Sequence, residues 1–203
     1  MIATMVDYGA GNLRSLRAAF ERAGAEVAVS DDAEQVAGAE LVIIPGVGQA
    51  AAAMEALRER GLVDAILRAL RGGSHLFGVC VGMQLLFSRS EEGETAGLGL
   101  LPGSATRLAG ARRLPHMGWN DVEPTSAHPL SGAFPAPCYF AHTYAVQDAA
   151  PRCLLASTPV EDGSFASLVG EGRIAGAQFH PERSGSAGAE FLRAVVSWAG
   201  DAA

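Results

Sequence analysis

Apolar runs and helical patterns alternate through the first half of the chain. Ile2–Val6 is a short apolar run followed at once by Asp7, Gly9 and Gly11, the pattern of a buried strand ending in a tight turn. Asn12 stands where it can cap a helix; Leu13, Leu16, Phe20 and Ala23 then recur at helical spacing, and Gly24 supplies the stop. Residues 26–29 predict a second strand, and the apolar run Leu41–Ile44, closed by Pro45 and Gly46, a third. Residues 50–60 and 62–71 predict helices broken at Gly61, residues 76–79 another buried strand, and residues 82–87 the start of another helix. Strands apolar on both faces and separated by helices imply a parallel sheet with helices on both sides. Chemistry in such sheets gathers beyond the carboxyl ends of the strands. The turns at Asp7, Pro45 and Cys80 all lie there.

The second half changes character. From Gly97 to Gln178 the chain is rich in Gly, Pro and short strand-like runs. Residues 165–169 and 173–179, joined at Gly170-Glu171-Gly172, predict a hairpin. Residues 186–199 predict a closing amphipathic helix with Phe191, Leu192, Val195 and Trp198 on its buried stripe. No repeat, low-complexity linker or Pro/Ser-rich hinge divides the two halves. The expectation is one domain over residues 1–203, with a mixed-sheet second half.

Composition narrows the function. The 203 residues are 49% hydrophobic, enough for a core without staples, and carry a formal net charge of −7. A nucleic-acid binder needs a basic stripe to displace counterions, and this balance argues against one. There is no apolar run of about 18 residues to cross a membrane. The first residues lack the basic and apolar regions of a secretory signal, so a cytoplasmic location is expected. Three cysteines, Cys80, Cys138 and Cys153, have no CxxC spacing, which speaks against a zinc knuckle or a disulfide framework. All 15 basic residues are arginine.

Candidate chemistry begins at Gly78-Val79-Cys80-Val81-Gly82, a G-x-nucleophile-x-G elbow with sulfur as the nucleophile. Side chains at Gly78 and Gly82 would obstruct the sharp strand-to-helix turn. A helix N-terminus favours thiolate over thiol, and the Val81 N–H would point at an oxyanion formed by attack from Cys80. The competing reading is a small buried cysteine filling space, and for Cys80 the two weigh about equally; for Cys138 and Cys153 the packing reading is preferred. His180 and Glu182, two apart across Pro181, can face one site as base and orienting carboxylate, although a lone His-Pro-Glu is more often an ordinary turn. The turn Pro45-Gly46-Val47-Gly48 is a candidate second oxyanion donor, and it lacks the GK[ST] of a phosphate loop. His142 reads as a satisfied histidine on a half-buried strand. His116 reads as part of an exposed turn whose Trp119 anchors a partner or belongs to the core. His75 and His128 read as structural.

The elbow, the Pro45–Gly48 turn and Phe179-His180-Pro181-Glu182, in this order, resemble the class I glutamine amidotransferases. Four further segments are similar to the glutaminase subunits of imidazole glycerol phosphate synthases: Asp7-Tyr8-Gly9-Ala10-Gly11-Asn12, Gln84-Leu85-Leu86-Phe87 with Ser90-Glu91-Glu92, Leu114-Pro115-His116-Met117-Gly118-Trp119-Asn120, and Tyr139-Phe140-Ala141-His142-Thr143-Tyr144. The likeness covers essentially the whole chain. It implies an α/β fold with a mixed, mostly parallel central sheet flanked by helices, of flavodoxin-like architecture. It implies L-glutamine hydrolysis by Cys80, His180 and Glu182, with oxyanion donors at Val81, Val47 and Gly48, and a glutamine pocket lined by Gln84, Glu92, His142 and Thr143. It further implies a heterodimer with a (βα)8-barrel cyclase subunit, faced by Asn12, Trp119 and Tyr139, and no metal or organic cofactor. Val81 stands where such proteins often have leucine, which is neutral because its backbone acts. Arg183 stands where lysine is common, and a planar guanidinium makes any pairing carried over to that position less secure. Two alternatives remain at this level: a glutaminase serving another synthase, and a non-catalytic subunit that only binds a partner.

Overall fold

The computed structural model describes all residues except 10, 133, 135, 136 and 201–203; Ala10 of the first motif therefore lies outside the described residues. From the amino terminus, β1 (Ile2–Val6) leads into α1 (Leu13–Arg22), β2 (Glu26–Ser30), α2 (Ala33–Ala37) and β3 (Leu41–Ile44). Helices α3 (Ala50–Glu59) and α4 (Leu62–Arg71) return the chain to β4 (His75–Val79), and a single helical turn, α5 (Val81–Gln84), follows. A run of strands succeeds it: β5 (Phe87–Ser90), β6 (Thr95–Ala96), β7 (Leu101–Arg107), β8 (His116–Asn120), β9 (Glu123–Pro124), β10 (Cys138–His142) and β11 (Tyr144–Val146). Then come β12 (Leu154–Pro159), β13 (Ser164–Glu171), β14 (Ile174–Ala177) and the closing helix α6 (Gly185–Gly200).

The central sheet has eight strands in the order β2-β1-β3-β4-β14-β13-β12-β9. It is parallel from β2 to β14 and antiparallel from β14 to β9. The parallel strands are the apolar runs of the first half. β3 and β4 are buried at every position, because helices cover both faces of a parallel sheet. Phe20 of α1 and Phe191 of α6 both pack on Phe77 of β4, with ring centroids 6.2 and 5.9 Å apart. A four-stranded sheet, β11-β7-β5-β6, and a two-stranded ribbon, β10-β8, stand beside the central one.

Several local expectations are corrected. The helix expected over residues 82–87 lasts one turn, and Phe87 begins a strand instead. The carbonyls of Leu85, Leu86 and Phe87 are taken by the backbone N–H groups of residues 98–101, so the smaller sheet captures the segment before a second helical turn can form. Asn12 precedes α1, but its side chain makes no capping bond. His116 lies on strand β8 rather than in a turn, paired across the ribbon with His142. Helix α2 was not anticipated; its cap is Asp32, whose carboxylate accepts from the N–H groups of Glu34 and Gln35. The late hairpin is present as β13–β14, with Glu171 opposite Ile174 and the turn therefore at Gly172-Arg173.

Topology decides where chemistry can gather. β3, β4 and β14 are adjacent and parallel, so their carboxyl ends emerge along one edge. Pro45 follows β3, Cys80 follows β4, and Gln178 to Glu182 follow β14. Two segments distant in sequence thereby become neighbours, and the Cys80 N–H donates to the Ala177 carbonyl at 2.7 Å.

Candidate active site

Cys80 joins β4 to α5 with φ 53° and ψ −110°, a left-handed conformation that a non-glycine residue rarely adopts. Such strain costs about 1–3 kcal/mol and persists only where the surroundings impose it. Here they do. A Cβ at Gly78 would meet the carbonyl of Gly82, one at Gly82 the carbonyl of Ile44, and one at Gly46 the amide nitrogen of Gly82. Three glycines thus let the Pro45 turn, the end of β4 and the start of α5 pack backbone to backbone. Gly46 is the member that the sequence reading did not single out for packing. Cys80 is 3% exposed.

His180 is buried, and its N–H donates to the Tyr139 carbonyl at 2.8 Å. Its ring interacts with Cys80 and is hydrogen-bonded, through Nδ1 at 3.1 Å, to Glu182 Oε1. Burial alone would push the imidazole pKa down. The interactions with Cys80 and Glu182 outweigh it and raise the value to about 10, which favours the imidazolium. The Glu182 side chain is 3% exposed. Ser184 locks the segment, its hydroxyl donating to the His180 carbonyl at 2.7 Å and accepting from the Tyr139 N–H at 2.9 Å.

A cavity of about 240 Å³ opens over the sulfur. Cys80, Val81 and His180 line it, as do Val47 and Gly48. Gln84, Glu92, His142 and Thr143 complete the lining together with Ala141, Tyr144 and Arg183. The expected oxyanion and pocket residues therefore share one space with Cys80 and His180, while Glu182 lies outside the lining, against His180 Nδ1. Gly48 has φ +91°, and the turn that carries it is pinned from behind by Tyr8, whose hydroxyl donates to the Pro45 carbonyl at 2.6 Å. Burial, with the Cys80 sulfur adding to it, pushes the Tyr8 phenol pKa up, which keeps it a donor. Glu92 accepts from the Ala50 N–H at 2.9 Å and so also holds the start of α3 beside the turn.

His142 donates Nδ1–H to the Tyr144 carbonyl at 3.0 Å, since a carbonyl can only accept, and its Nε2 is a bare acceptor without a partner among the described residues. Burial and then His116 drive its pKa down to about 3, so it stays neutral. Cys138 and Cys153 lie buried in the core; burial raises the Cys138 thiol to about 11 and shifts Cys153 in the same direction. His75 packs edge-on against Trp198, with centroids 4.5 Å apart. Of the residues assigned to a partner, Trp119 is 58% exposed and stands across the ribbon from Tyr139, centroids 6.0 Å apart. Arg183 lies over the Tyr139 ring at 4.2 Å, a cation–π contact. Asn12 is exposed ahead of α1. Residues the sequence reading missed are Gln178, Tyr8 and the Tyr144 carbonyl. Gln178 carried a readable signal, since it is two residues before His180 on the same extended segment.

Residues 4–197 match the family Glutamine amidotransferase class-I, so the chain is a class I glutamine amidotransferase. The fold agrees. A crystal structure of a glutamine amidotransferase superposes with a TM-score of 0.75 at 23% identity, covering 97% of this chain and 98% of that one. The structure of PurLQS from Thermotoga maritima gives 0.74 at 22% identity over the same shares. Sequence relatives are narrower. Imidazole glycerol phosphate synthase subunit HisH of Symbiobacterium thermophilum is 45% identical over 197 residues, 96% of this chain and 91% of that protein. The subunit of the same name from Idiomarina loihiensis is 45% identical over 194 residues, covering 95% and 96%. Within the class, the chain belongs to the HisH family.

Proposed function

We propose that the chain hydrolyses L-glutamine through Cys80, His180 and Glu182 and delivers the ammonia to a (βα)8-barrel cyclase subunit, for imidazole glycerol phosphate synthesis in histidine biosynthesis. The observation that carries this reading is Cys80 and His180 lining one cavity, with His180 held from its other side by the Glu182 carboxylate at 3.1 Å. In the first step the Cys80 thiolate attacks the γ-amide carbon, and the carbonyl electrons move onto oxygen. The Val81 N–H and the Val47–Gly48 turn stabilise that oxyanion, at a few kcal/mol per donor. The imidazolium of His180 gives its proton to the amide nitrogen as the C–N bond breaks, since amide ion is too basic to leave alone. Water then attacks the thioester, its proton passing to His180, and glutamate leaves with the thiolate restored. Glu182 holds the imidazole in orientation and favours its charged form. The Glu92 carboxylate suits the α-ammonium of glutamine, and Gln84, His142 and Thr143 line the rest of the pocket.

Transfer inside a complex makes chemical sense. Ammonia in neutral water is mostly ammonium, which has no lone pair to attack with. The test uses the complex with the cyclase subunit. Cys80→Ala abolishes glutamine-dependent synthesis and leaves synthesis from added ammonium salts intact. Glutamine-dependent turnover surviving in that variant overturns the role given to Cys80. Absence of glutamate release from the wild-type chain, with and without the cyclase subunit, would instead favour a subunit that only binds.

A further inference from the structure

The Cys80 sulfur has a polar neighbour that the triad does not include. Gln178 Nε2 lies 3.6 Å from Cys80 Sγ, and Gln178 is fully buried. The parallel register makes this contact unavoidable: Ala177 of β14 pairs with Val79 of β4, so one step further on Gln178 stands beside Cys80. The Gln178 backbone is fixed by its N–H bond to the Ser167 carbonyl at 3.0 Å.

An amide can turn either its oxygen or its nitrogen toward a sulfur, and the surrounding hydrogen bonds decide which. The Tyr144 carbonyl can only accept. Gln84 faces it with Nε2 at 2.8 Å, and the same nitrogen lies 3.1 Å from Gln178 Oε1. The two hydrogens of the Gln84 amide thus go to two oxygens. Reversing Gln84 would set its oxygen against the Tyr144 carbonyl, with no proton between them. With Gln84 so oriented, Gln178 must turn its oxygen toward Gln84 and its NH2 toward the sulfur. A backbone carbonyl on β11 therefore dictates, through two side chains, that Cys80 meets a donor.

That donor discriminates between the two states of the sulfur. A thiolate accepts a charge-assisted bond roughly twice as strong as a neutral one, whereas a thiol accepts only weakly. We propose that Gln178 is a positioning residue for the Cys80 thiolate: its amide, oriented by Gln84 and the Tyr144 carbonyl, donates to Sγ, favours the ionised sulfur and restrains its direction at the cavity wall. His180 alone leaves the sulfur free to swing about the axis of a single contact; a second donor removes that freedom. The inference rests on Cys80 being the nucleophile.

The test is the pH profile of Cys80 alkylation by iodoacetamide, followed by mass spectrometry of the Cys80 peptide, in the complex with the cyclase subunit. Gln178→Met removes the donor with little change of volume. Gln178→Glu still accepts from Gln84 but turns a carboxylate oxygen toward the sulfur. Gln84→Met leaves Gln178 in place and removes what fixes its direction. The profile is expected to move to higher pH in all three, by about one unit or more in Gln178→Glu, so that alkylation at pH values below the midpoint slows about tenfold. A purely space-filling Gln178 would change thermal stability and leave the profile where it is. Unmoved profiles in Gln178→Met and Gln84→Met overturn the proposal. Alkylation of wild-type Cys80 that leaves glutamine-dependent synthesis running overturns the nucleophile reading itself, a result distinguishable because it needs no variant.

Discussion

His180 shows how far a single residue's environment can move its chemistry. Burial disfavours the imidazolium, yet the interactions with Cys80 and Glu182 raise its pKa to about 10. Removing the sulfur leaves burial opposed by Glu182 alone. In Cys80→Ala the His180 titration midpoint, followed by NMR of the imidazole, is therefore expected to fall; a midpoint unchanged from the wild type would show that Cys80 does not hold the proton. The same shift has a signature in stability. A folded pKa above the unfolded value of about 6.5 means that the folded chain binds more protons between the two. The stabilisation is fully present below about pH 6.5 and is lost as pH rises through about 10. Urea unfolding across that window should show the wild type losing stability relative to His180→Asn, which has no such proton to lose.

At the scale of elements, the site depends on how closely three backbones approach. Gly46→Ala places a methyl on the Gly82 amide nitrogen, a backbone atom that cannot step aside as a flexible side chain can. The expected result is destabilisation of about 1–3 kcal/mol by urea unfolding, with loss of glutaminase activity as the elbow shifts. Gly200→Ala, whose Cβ would meet nothing within 4 Å, should leave both unchanged. The parallel strands, the elbow and the late hairpin were legible in the sequence because local pattern and final burial agree there: Leu41–Ile44 is apolar and buried throughout. The readings that failed are those in which long-range pairing overrides local preference. Residues 85–87 carry a helical pattern but give their carbonyls to residues 98–101. His116 sits amid Pro and Gly, yet it pairs with His142 on a ribbon completed by residues far along the chain. Cys80, His180 and Glu182 could be named from their motifs. Their meeting required the adjacency of β4 and β14, which no spacing contains. Gln178 went unread because a buried amide looks like packing until its hydrogen bonds are traced.

At the scale of the whole molecule, the ribbon β8–β10 carries two of the exposed large apolar side chains. Residues two apart on a strand share a side, and Met117 and Trp119 both face outward, 65% and 58% exposed. Across the ribbon Trp119 stands opposite Tyr139, and Met117 opposite Ala141, which lines the cavity over Cys80. The exposed apolar side chains are thus continuous with the cavity over Cys80. On the proposed reaction, a cyclase subunit seated on them would lie next to the point of ammonia release, so the ammonia need not cross bulk water. Burying a large aromatic at the centre of such a contact contributes far more than its share of the area, often about 2 kcal/mol or more. Trp119→Ala should therefore weaken assembly with the cyclase subunit by about thirtyfold in Kd, measured by titration calorimetry. The free chain loses little, since the side chain is mostly solvated, and its unfolding free energy should stay within about 0.5 kcal/mol. Ile2 supplies the contrast. It is also exposed, at 51%, but it begins β1 and so lies at the amino edge of the parallel strands, opposite Cys80. Ile2→Ala should leave Kd unchanged. If the two variants lose affinity equally, the ribbon is not the docking face, and the ammonia must leave by another path.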